Sequence, residues 1–565
     1  MKREIKIDIL LCFLFTIFIL MSITFLFFKN AYSMGIKNAL ENKENITKKK
    51  YQKKYFAFEY HQSSKLSYLN ILTSWKPDWF NKPSISKIYP AAKKISLEKH
   101  LESWKGLNLR KAIKLSIEAE SFSPSEPLSL NDLSRLLYFT YGVSGVIKTL
   151  DGPLYLRTAP SAGALYPTEI YLVVSNVKDL ENGIYNYLAK EHILQLVKKG
   201  DFIKDLRACC LDDNIGTKSN LIFILTDIFY RSKWKYHERG YRYSLIDTGY
   251  VIANLTLEAT SMGLSAKTYI DFSDDKVNEL LGLDGIKEAS VALVAVGRNS
   301  EEGDKNVPPI DRRGFLTPQE GKEDFSIPKI RDDMSISEKY HENSKEIIYK
   351  PKTDRVLRKP YNIEKRIELT KKFQDSSNKI EDILLKRRSA KDLSNLPISK
   401  TELSEILYFC FELKREIDYK FLNSRLLNLF LIVNNVQGLD RGVYHYDPES
   451  HAIEQMKKID LRGTIWKSCL RQDIVKNASV VFIKVGLIEQ AIKVCGDREY
   501  RHILLASGKM GENIYLVATK LGLGVRAIGA FFDDELNKLV GIDGHNETVI
   551  HLTIVGRVYI KEQVK

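Results

Sequence analysis

Several signatures of common enzyme chemistries are missing from this chain. Its 565 residues include six cysteines, at positions 12, 209, 210, 410, 469 and 495, and none is spaced as CxxC or as a metal-ligand set. Neither a metal site nor a disulfide framework is expected. Free structural thiols suit a reducing compartment, and Cys209 and Cys210, adjacent in sequence, are poorly placed to bridge each other. There is no GxGxxG, no HExxH, no P-loop and no Ser-His-Asp arrangement, which removes the usual dinucleotide-binding, metalloprotease, nucleotide-hydrolysing and triad readings. Nucleic-acid-binding motifs are absent too. The formal net charge of +15 is spread along the chain, with much of the excess flanking the N-terminal apolar segment. It makes no concentrated basic face, so no nucleic-acid partner is expected.

What is present is a globular composition, 44% apolar and 28% charged, in a chain long enough for two substantial cores. Residues 8–28 (DILLCFLFTIFILMSITFLFF) are long and apolar enough to span a bilayer as a helix. The alternative is a signal peptide cleaved near Ala31-Tyr32-Ser33, but the apolar run exceeds a usual signal core. Lys2, Arg3 and Lys6 precede the run and Lys29, Lys37, Lys43 and Lys48 follow it, which leaves orientation open. The expected plan is an anchor at 1–30, a polar tether at 31–54, a first domain at 55–300, a linker rich in charge, Pro and Gly at 301–335, and a second domain at 336–565.

The two domains are copies. Residues 249–264 (GYVIANLTLEATSMGL) match 508–523 (GKMGENIYLVATKLGL) at an offset of 259, and Asp274-Asp275 and Arg298 fall on Asp533-Asp534 and Arg557 at the same offset. YHQSSK at 60–65 recurs as YHENSK at 340–345. The period is that of a whole domain, so this is a duplication and not a solenoid. Within copy one, residues 133–141 carry helical apolar spacing with Ser129 as a cap. Residues 170–174, 221–226 and 291–296 are short apolar runs that predict buried strands, and 249–263 predicts a core helix ending at glycine. The irregular mixture of helices and strands predicts an α+β layer fold.

PSAGALYP at 160–167, preceded by Arg157 and followed by a strand and GIYNY at 183–187, resembles the flavin-dependent nitroreductase superfamily. More narrowly it resembles the SagB/ThcOx-type dehydrogenases, which oxidise azoline rings in ribosomally made peptides. GVYHYDP at 442–448, KYHERGYRY at 235–243 and AIGAFFDD at 527–534 belong to the same resemblance, which covers most of both copies. It implies a dimeric α+β fold with FMN at the interface, one subunit supplying an Arg-Arg-Ser-x-Arg segment, a glycine near the flavin edge and a C-terminal Gly-Arg, and the other supplying the Pro-Ser segment. Here the two copies would form an intramolecular pseudo-dimer.

The copies differ in complementary ways. Copy two carries Arg387, Arg388, Ser389 and Lys391, with Gly529 and Arg557. Clustered guanidinium groups suit a doubly charged phosphate, and a glycine allows close approach of backbone to a ring. Copy one has Ile117, Glu118, Ala119 and Ser121 at the first set of positions, and Ile270 for Gly529. Conversely, copy one keeps Pro160, Ser161, Ala162, Gly163 and Pro167, where copy two has Tyr419, Lys420, Leu422 and Leu426 for the proline, serine, glycine and second proline. Copy one keeps Lys235-Tyr236 and copy two has Lys493-Val494. One complete composite site is therefore expected, with one FMN per chain.

The resemblance implies that Lys235 and Tyr236 transfer the proton while hydride passes to the flavin, and such a lysine needs a depressed pKa. Arg239 and Arg242 are either structural or flavin-facing. His61, His341 and His445 are expected to be structural, and Asp274-Asp275 and Asp533-Asp534 to cap helices. The expected activity is FMN-dependent azoline oxidation on a modified peptide, with a cyclodehydratase as a possible partner and the catalytic part on the cytoplasmic side of a single membrane span. The alternatives are an NAD(P)H-dependent nitro- or quinone reductase and a flavin-free peptide-binding partner.

Overall fold

Two antiparallel sheets, one from each half of the chain, are built from the short apolar runs. In the first, the strands lie in the order Ile193–Lys199, Gly183–Leu188, Thr168–Val174, Leu221–Ile228, Glu288–Asn299. Lys94–Ser96 and Phe122–Ser123 extend its ends, and Leu264–Tyr269 also pairs with Glu288–Asn299. The second runs Lys365–Glu368, Ala452–Lys458, Gly442–Asp447, Leu427–Val433, Val480–Gly486, Thr548–Gly556, Gly524–Ile528. This is the α+β arrangement expected. Each sheet buries one face in its own core: Val173, Ile222, Ile224 and Leu293 in one half, and Ile432, Val481, Ile483 and Leu552 in the other. Branched apolar side chains pack well on a pleated surface, which is why these runs become strands.

The computed structural model describes residues 55–559, apart from 73–76, 99–105, 119–121, 124–126, 151, 211–218, 220, 300–330, 332, 348–359, 375–376 and 412–425. The expected anchor and tether, most of the expected linker, and Tyr419, Lys420 and Leu422 lie outside the described residues. Among the described residues no helix is long and apolar enough to cross a membrane.

Helix starts follow their local chemistry. Ser129, Ser335 and Ser399 each accept a hydrogen bond from the backbone N–H three residues on, and the acid there (Asp132, Glu338, Glu402) bonds back, forming reciprocal capping boxes. The core helix expected at 249–263 is longer, Arg239–Ser261, and its partner is Arg498–Lys520. The first ten residues were missed because this helix is buried along its whole length, and a helix buried on all sides shows no apolar stripe to mark its start. The two helices cross where Gly249 meets Gly508. A methyl group on Gly249 would lie 2.2 Å from the Leu505 carbonyl oxygen, and one on Gly508 2.0 Å from that of Ile246, so the contact admits only hydrogen.

Around this crossing the halves exchange contacts in matched pairs. Arg239 donates to the carbonyls of Gly529 and Ser64 and to Asp533 (2.7 Å), while Arg242 pairs with the other oxygen of Asp533 at 3.1 Å. At the offset of 259, Arg498 donates to the carbonyls of Ile270 and Ser344 and to Asp274, and Arg501 pairs with Asp274 at 2.7 Å. Asp274 and Asp533 open the helices Asp274–Leu281 and Asp533–Val540, but capping does not account for them. Burial alone would raise both carboxyls; the paired guanidinium groups outweigh it and hold both below the usual range. Arg239 and Arg242 are thereby bridges between the halves. The YHxxSK helices, Phe56–Ser63 and Ile336–Asn343, also reach across: Tyr60 and Tyr340 stack at 5.0 Å, His61 Nδ1 bonds Tyr500 at 2.8 Å, and His341 Nδ1 bonds Tyr241 at 2.9 Å. His445 lies in the second sheet and pairs with Glu454 at 2.9 Å.

Candidate active site

The segment 160–163 follows the hairpin strand Gly152–Arg157 and turns sharply, with Gly163 at φ 64°, Ala164 at 53° and Tyr166 at 47°. Left-handed backbone at two non-glycine residues is strained, and such strain persists only where its surroundings enforce it. Asp247, on the long helix, does so. Its carboxylate accepts from Ser161 Oγ at 2.6 Å and from the Ala162 N–H at 3.1 Å, while Ser161 Oγ accepts from the Tyr166 N–H at 2.9 Å. Burial raises the Asp247 carboxyl well above its ordinary value, against the pull of those two hydrogen bonds.

The helix Phe229–Tyr236 ends at His237 (φ 51°) and delivers Lys235 and Tyr236 to this turn. A methyl on Gly163 would lie 2.7 Å from the Tyr236 hydroxyl and 3.3 Å from Lys235 Nζ. The half-buried Lys235 is lowered from its ordinary pKa, first by loss of solvation and then by the cation of Lys82. Burial raises Tyr236. The matching helix in the second half is Ile488–Cys495, so the structural counterparts of Lys235 and Tyr236 are Val494 and Cys495. Lys493-Val494, the pair expected there, lies one residue out of register; Lys493 is instead exposed and paired with Glu489.

From the other half, residues 387–391 leave the helix Ile380–Lys386. Arg387 donates to the carbonyls of Thr158 (2.6 Å) and Arg157 (3.0 Å), and Arg388 donates to the carbonyl and hydroxyl of Ser144. Both guanidinium groups thus bind the segments that lead to the PSAG turn. Arg387 also faces Glu512 at 3.8 Å, a carboxyl that burial pushes up to about 8. Ser389 Oγ bonds the Tyr515 hydroxyl at 2.9 Å, and that hydroxyl accepts from the Ala527 N–H. At Gly529 a methyl would come within 2.7 Å of the Tyr243 ring.

These elements enclose a cleft of about 820 Å³. Pro160, Ser161, Ala162, Gly163 and Tyr236 line it from the first half, and Arg387, Arg388, Ser389, Lys391 and Gly529 from the second. Lys235 is not in the lining; its Nζ would lie 3.3 Å from a methyl on Gly163. Arg557 is not in the lining. Its guanidinium donates to Pro397 O and Glu402, the capping acid of the helix Lys400–Cys410. Tyr243, Asp247, Tyr250, Tyr515, Arg526 and His551, none of them among the expected site residues, also border the cleft. Their one signal is asymmetry between the copies: the counterparts are His502, Ala506, Lys509, Thr256, Lys267 and Ala292. Among the described residues neither Lys391 nor Arg526 makes an ion pair. The volume falls within the ligand range, glycines at 163 and 529 let Tyr236 and Tyr243 pack close to the turn and to the opposite strand end, and cations line one part of the wall. This set suits the flat ring and charged tail of FMN.

At the pseudo-symmetric position the described residues are different. Ile270, 1% exposed, stands for Gly529, and His502 stands for Tyr243 with Nδ1 on Glu499 at 3.0 Å. The side chains of 118–121 and 419–425 lie outside the described residues.

The nitroreductase family model matches residues 121–298 and again 384–557; the chain belongs to the nitroreductase family and carries its domain twice. It is 33% identical over 183 residues to the putative nitroreductase MJ1384 of Methanocaldococcus jannaschii, a match covering 32% of this chain and 91% of that protein. It is 29% identical over 187 residues to the trifolitoxin-processing protein TfxB of Rhizobium leguminosarum bv. trifolii, covering 32% of this chain and 50% of that one. The crystal structure of a putative nitroreductase from Anabaena variabilis superposes with a TM-score of 0.72 at 27% identity, over 90% of this chain and 100% of that chain.

Proposed function

We propose that the chain is an FMN-dependent dehydrogenase that converts azoline rings of a ribosomally made peptide to azoles at a single composite site. The observation that carries this reading is the Tyr236 hydroxyl beside Gly163 on the wall of a cleft closed by the other half, with Lys235 Nζ next to it at Gly163 but outside the lining. A simple hydride-relay reductase has no use for a half-buried lysine of lowered pKa. Its relative TfxB, by name a trifolitoxin-processing protein, is in keeping with a peptide substrate.

In this reading Arg388, Ser389 and Lys391 hold the phosphate, and the backbone of Gly529 meets the edge of the ring system. Bound there, the flavin supplies a two-electron acceptor for the ring hydride. The chain does the rest. Val146, Ile147, Leu154 and Leu156 of the hairpin make an apolar wall for the azoline. Neutral Lys235 Nζ, which lies over the Tyr236 ring 5.5 Å from its centroid, takes the ring proton. Asp247 keeps the Ser161–Gly163 turn in its strained form, so the base and ring stay aligned.

The test is to incubate the full chain and FMN in air, without NAD(P)H, with a peptide bearing an azoline, and to follow loss of two hydrogens by mass spectrometry. Azole formation supports the proposal. NAD(P)H-dependent reduction of nitroarenes with no azole formed replaces it by the reductase reading, and a chain that neither binds FMN nor turns over replaces it by the peptide-binding one.

A further inference from the structure

The cations that line the cleft outnumber what FMN can use. A phosphate monoester carries about −1.5 to −2 charges at neutral pH, which Arg388 and Lys391 answer. Arg387 is spent on the carbonyls of Thr158 and Arg157. Arg526 is left over. It is half-buried, and among the described residues no carboxylate pairs with it. The sole acid in the lining, Asp247, is taken by Ser161 and the Ala162 N–H. The strand Gly524–Ile528 also turns Arg526 away from the proposed phosphate position. Ala527 lies opposite Thr553, and Arg526 opposite Ile554. Thr553 receives Lys484, which meets Gly511 of the helix Arg498–Lys520, so that face belongs to the helix that carries Tyr515, the partner of Ser389. Successive side chains on a strand point to opposite faces. Arg526 therefore shares the other face with Ile528 and Ile554, which pack with Ile474 and Val475. Gln472, just before the helix Asp473–Lys476, borders the cleft on that side. Tyr236 faces the same space from the first half: burial raises its hydroxyl, Tyr243 and Asp247 add to that, and the Arg526 charge opposes them. The counterpart of Arg526, Lys267, is already engaged over the Tyr269 ring at 5.5 Å.

We propose that Arg526 determines specificity by binding a carboxylate of the peptide close to the azoline. This rests on the azoline reading of the cleft and names the substrate class within it: a ring flanked by an acidic side chain or by the carboxyl end of the peptide. A guanidinium takes a carboxylate through two parallel N–H···O bonds, and a half-buried pair is screened less than a surface one. A neutral neighbour would desolvate the cation without giving it an anion, which weakens binding. Arg526 takes no part in the proton transfer. It sets which ring-bearing segment is held against Tyr236 and Lys235.

The experiment titrates the full chain, incubated with FMN, by calorimetry with three short peptides that carry an unreactive thiazole. One has Asp after the ring and an amidated end, one has Asn and an amidated end, and one has Asn and a free carboxyl end. At least one carboxylate peptide is expected to bind about tenfold or more tighter than the amidated Asn peptide, and which one does so identifies the source of the carboxylate. Arg526→Gln should remove that difference while FMN is retained, and Arg526→Lys should restore part of it. Equal affinity of the three peptides for the wild-type chain, or no binding of any, overturns the proposal without recourse to a variant. So does a preference that survives in folded Arg526→Gln, or loss of FMN from that variant, which would give the cation to the phosphate. Azoline forms of the same peptides are assayed in parallel for loss of two hydrogens. Azole formed with no carboxylate preference removes the role of Arg526 and leaves the dehydrogenase reading standing; a carboxylate preference with no azole formed supports the role in binding and removes the dehydrogenase reading.

Discussion

Lys235 gives the proposed chemistry its pH dependence. The base must be neutral, and its folded pKa lies below that of an ordinary lysine. Azole formation should therefore rise with pH through a limb below the ordinary lysine range and disappear as pH falls through it. Lys235→Met should cost about 10²–10⁴ in kcat, and Lys235→Arg should remove the limb from the measurable range, whereas a purely structural role would leave the profile in place. Gly529→Val puts carbon into the Tyr243 ring and should abolish FMN retention, read as loss of the flavin absorbance after desalting, while the far-ultraviolet spectrum is unchanged. Lys484 gives a separate test of stability. It is fully buried, donates to Thr553 at 2.7 Å, and burial lowers it to about 7; its counterpart is Leu225. Between about pH 7 and the unfolded value near 10.4 the unfolded chain binds the extra proton, so stability rises with pH across that window and the penalty is complete below it. Lys484→Leu should stabilise the protein at pH 7 by on the order of a few kcal/mol, and urea melts should show the gain shrinking towards pH 10.

Between elements, the paired arginines and aspartates are the main polar ties. Asp533→Asn leaves Arg239 and Arg242 buried without their anion and should cost about 3–5 kcal/mol in chemical denaturation; Asp274→Asn should cost a similar amount through Arg498 and Arg501. Both carboxyls are depressed in the folded state, so this stabilisation is present above the unfolded carboxylate pKa and is lost as pH falls through the folded one. These ties were not legible in sequence. An acid at a helix start already has a local explanation, and the partner of Asp533 lies 291 residues away. The strands were legible because buried antiparallel runs such as 221–226 are continuous and apolar. The PSAG and Arg-Arg-Ser segments were legible as motifs. Asp247 and Arg526 were not, because nothing local marks them; only comparison with Ala506 and Lys267 does. Arg557 shows the opposite case: the resemblance gave it to phosphate, but its guanidinium is held by the Pro397 carbonyl and the capping acid Glu402.

Residues 56–559 form two unequal halves clasped about the Gly249–Gly508 crossing. That crossing fixes a pseudo-twofold axis, and the axis generates two composite positions. One combines the PSAG turn and Lys235-Tyr236 with residues 387–391 and Gly529. The other has buried Ile270 where a ring edge would need glycine. One composite position of the two is therefore expected to hold flavin, and flavin stoichiometry measures this most directly. The full-length chain, saturated with FMN, desalted and assayed for released FMN against protein by amino-acid analysis, should carry one FMN, and Arg388→Ala should carry none. Two FMN per chain, or one retained undiminished by Arg388→Ala, would contradict the account.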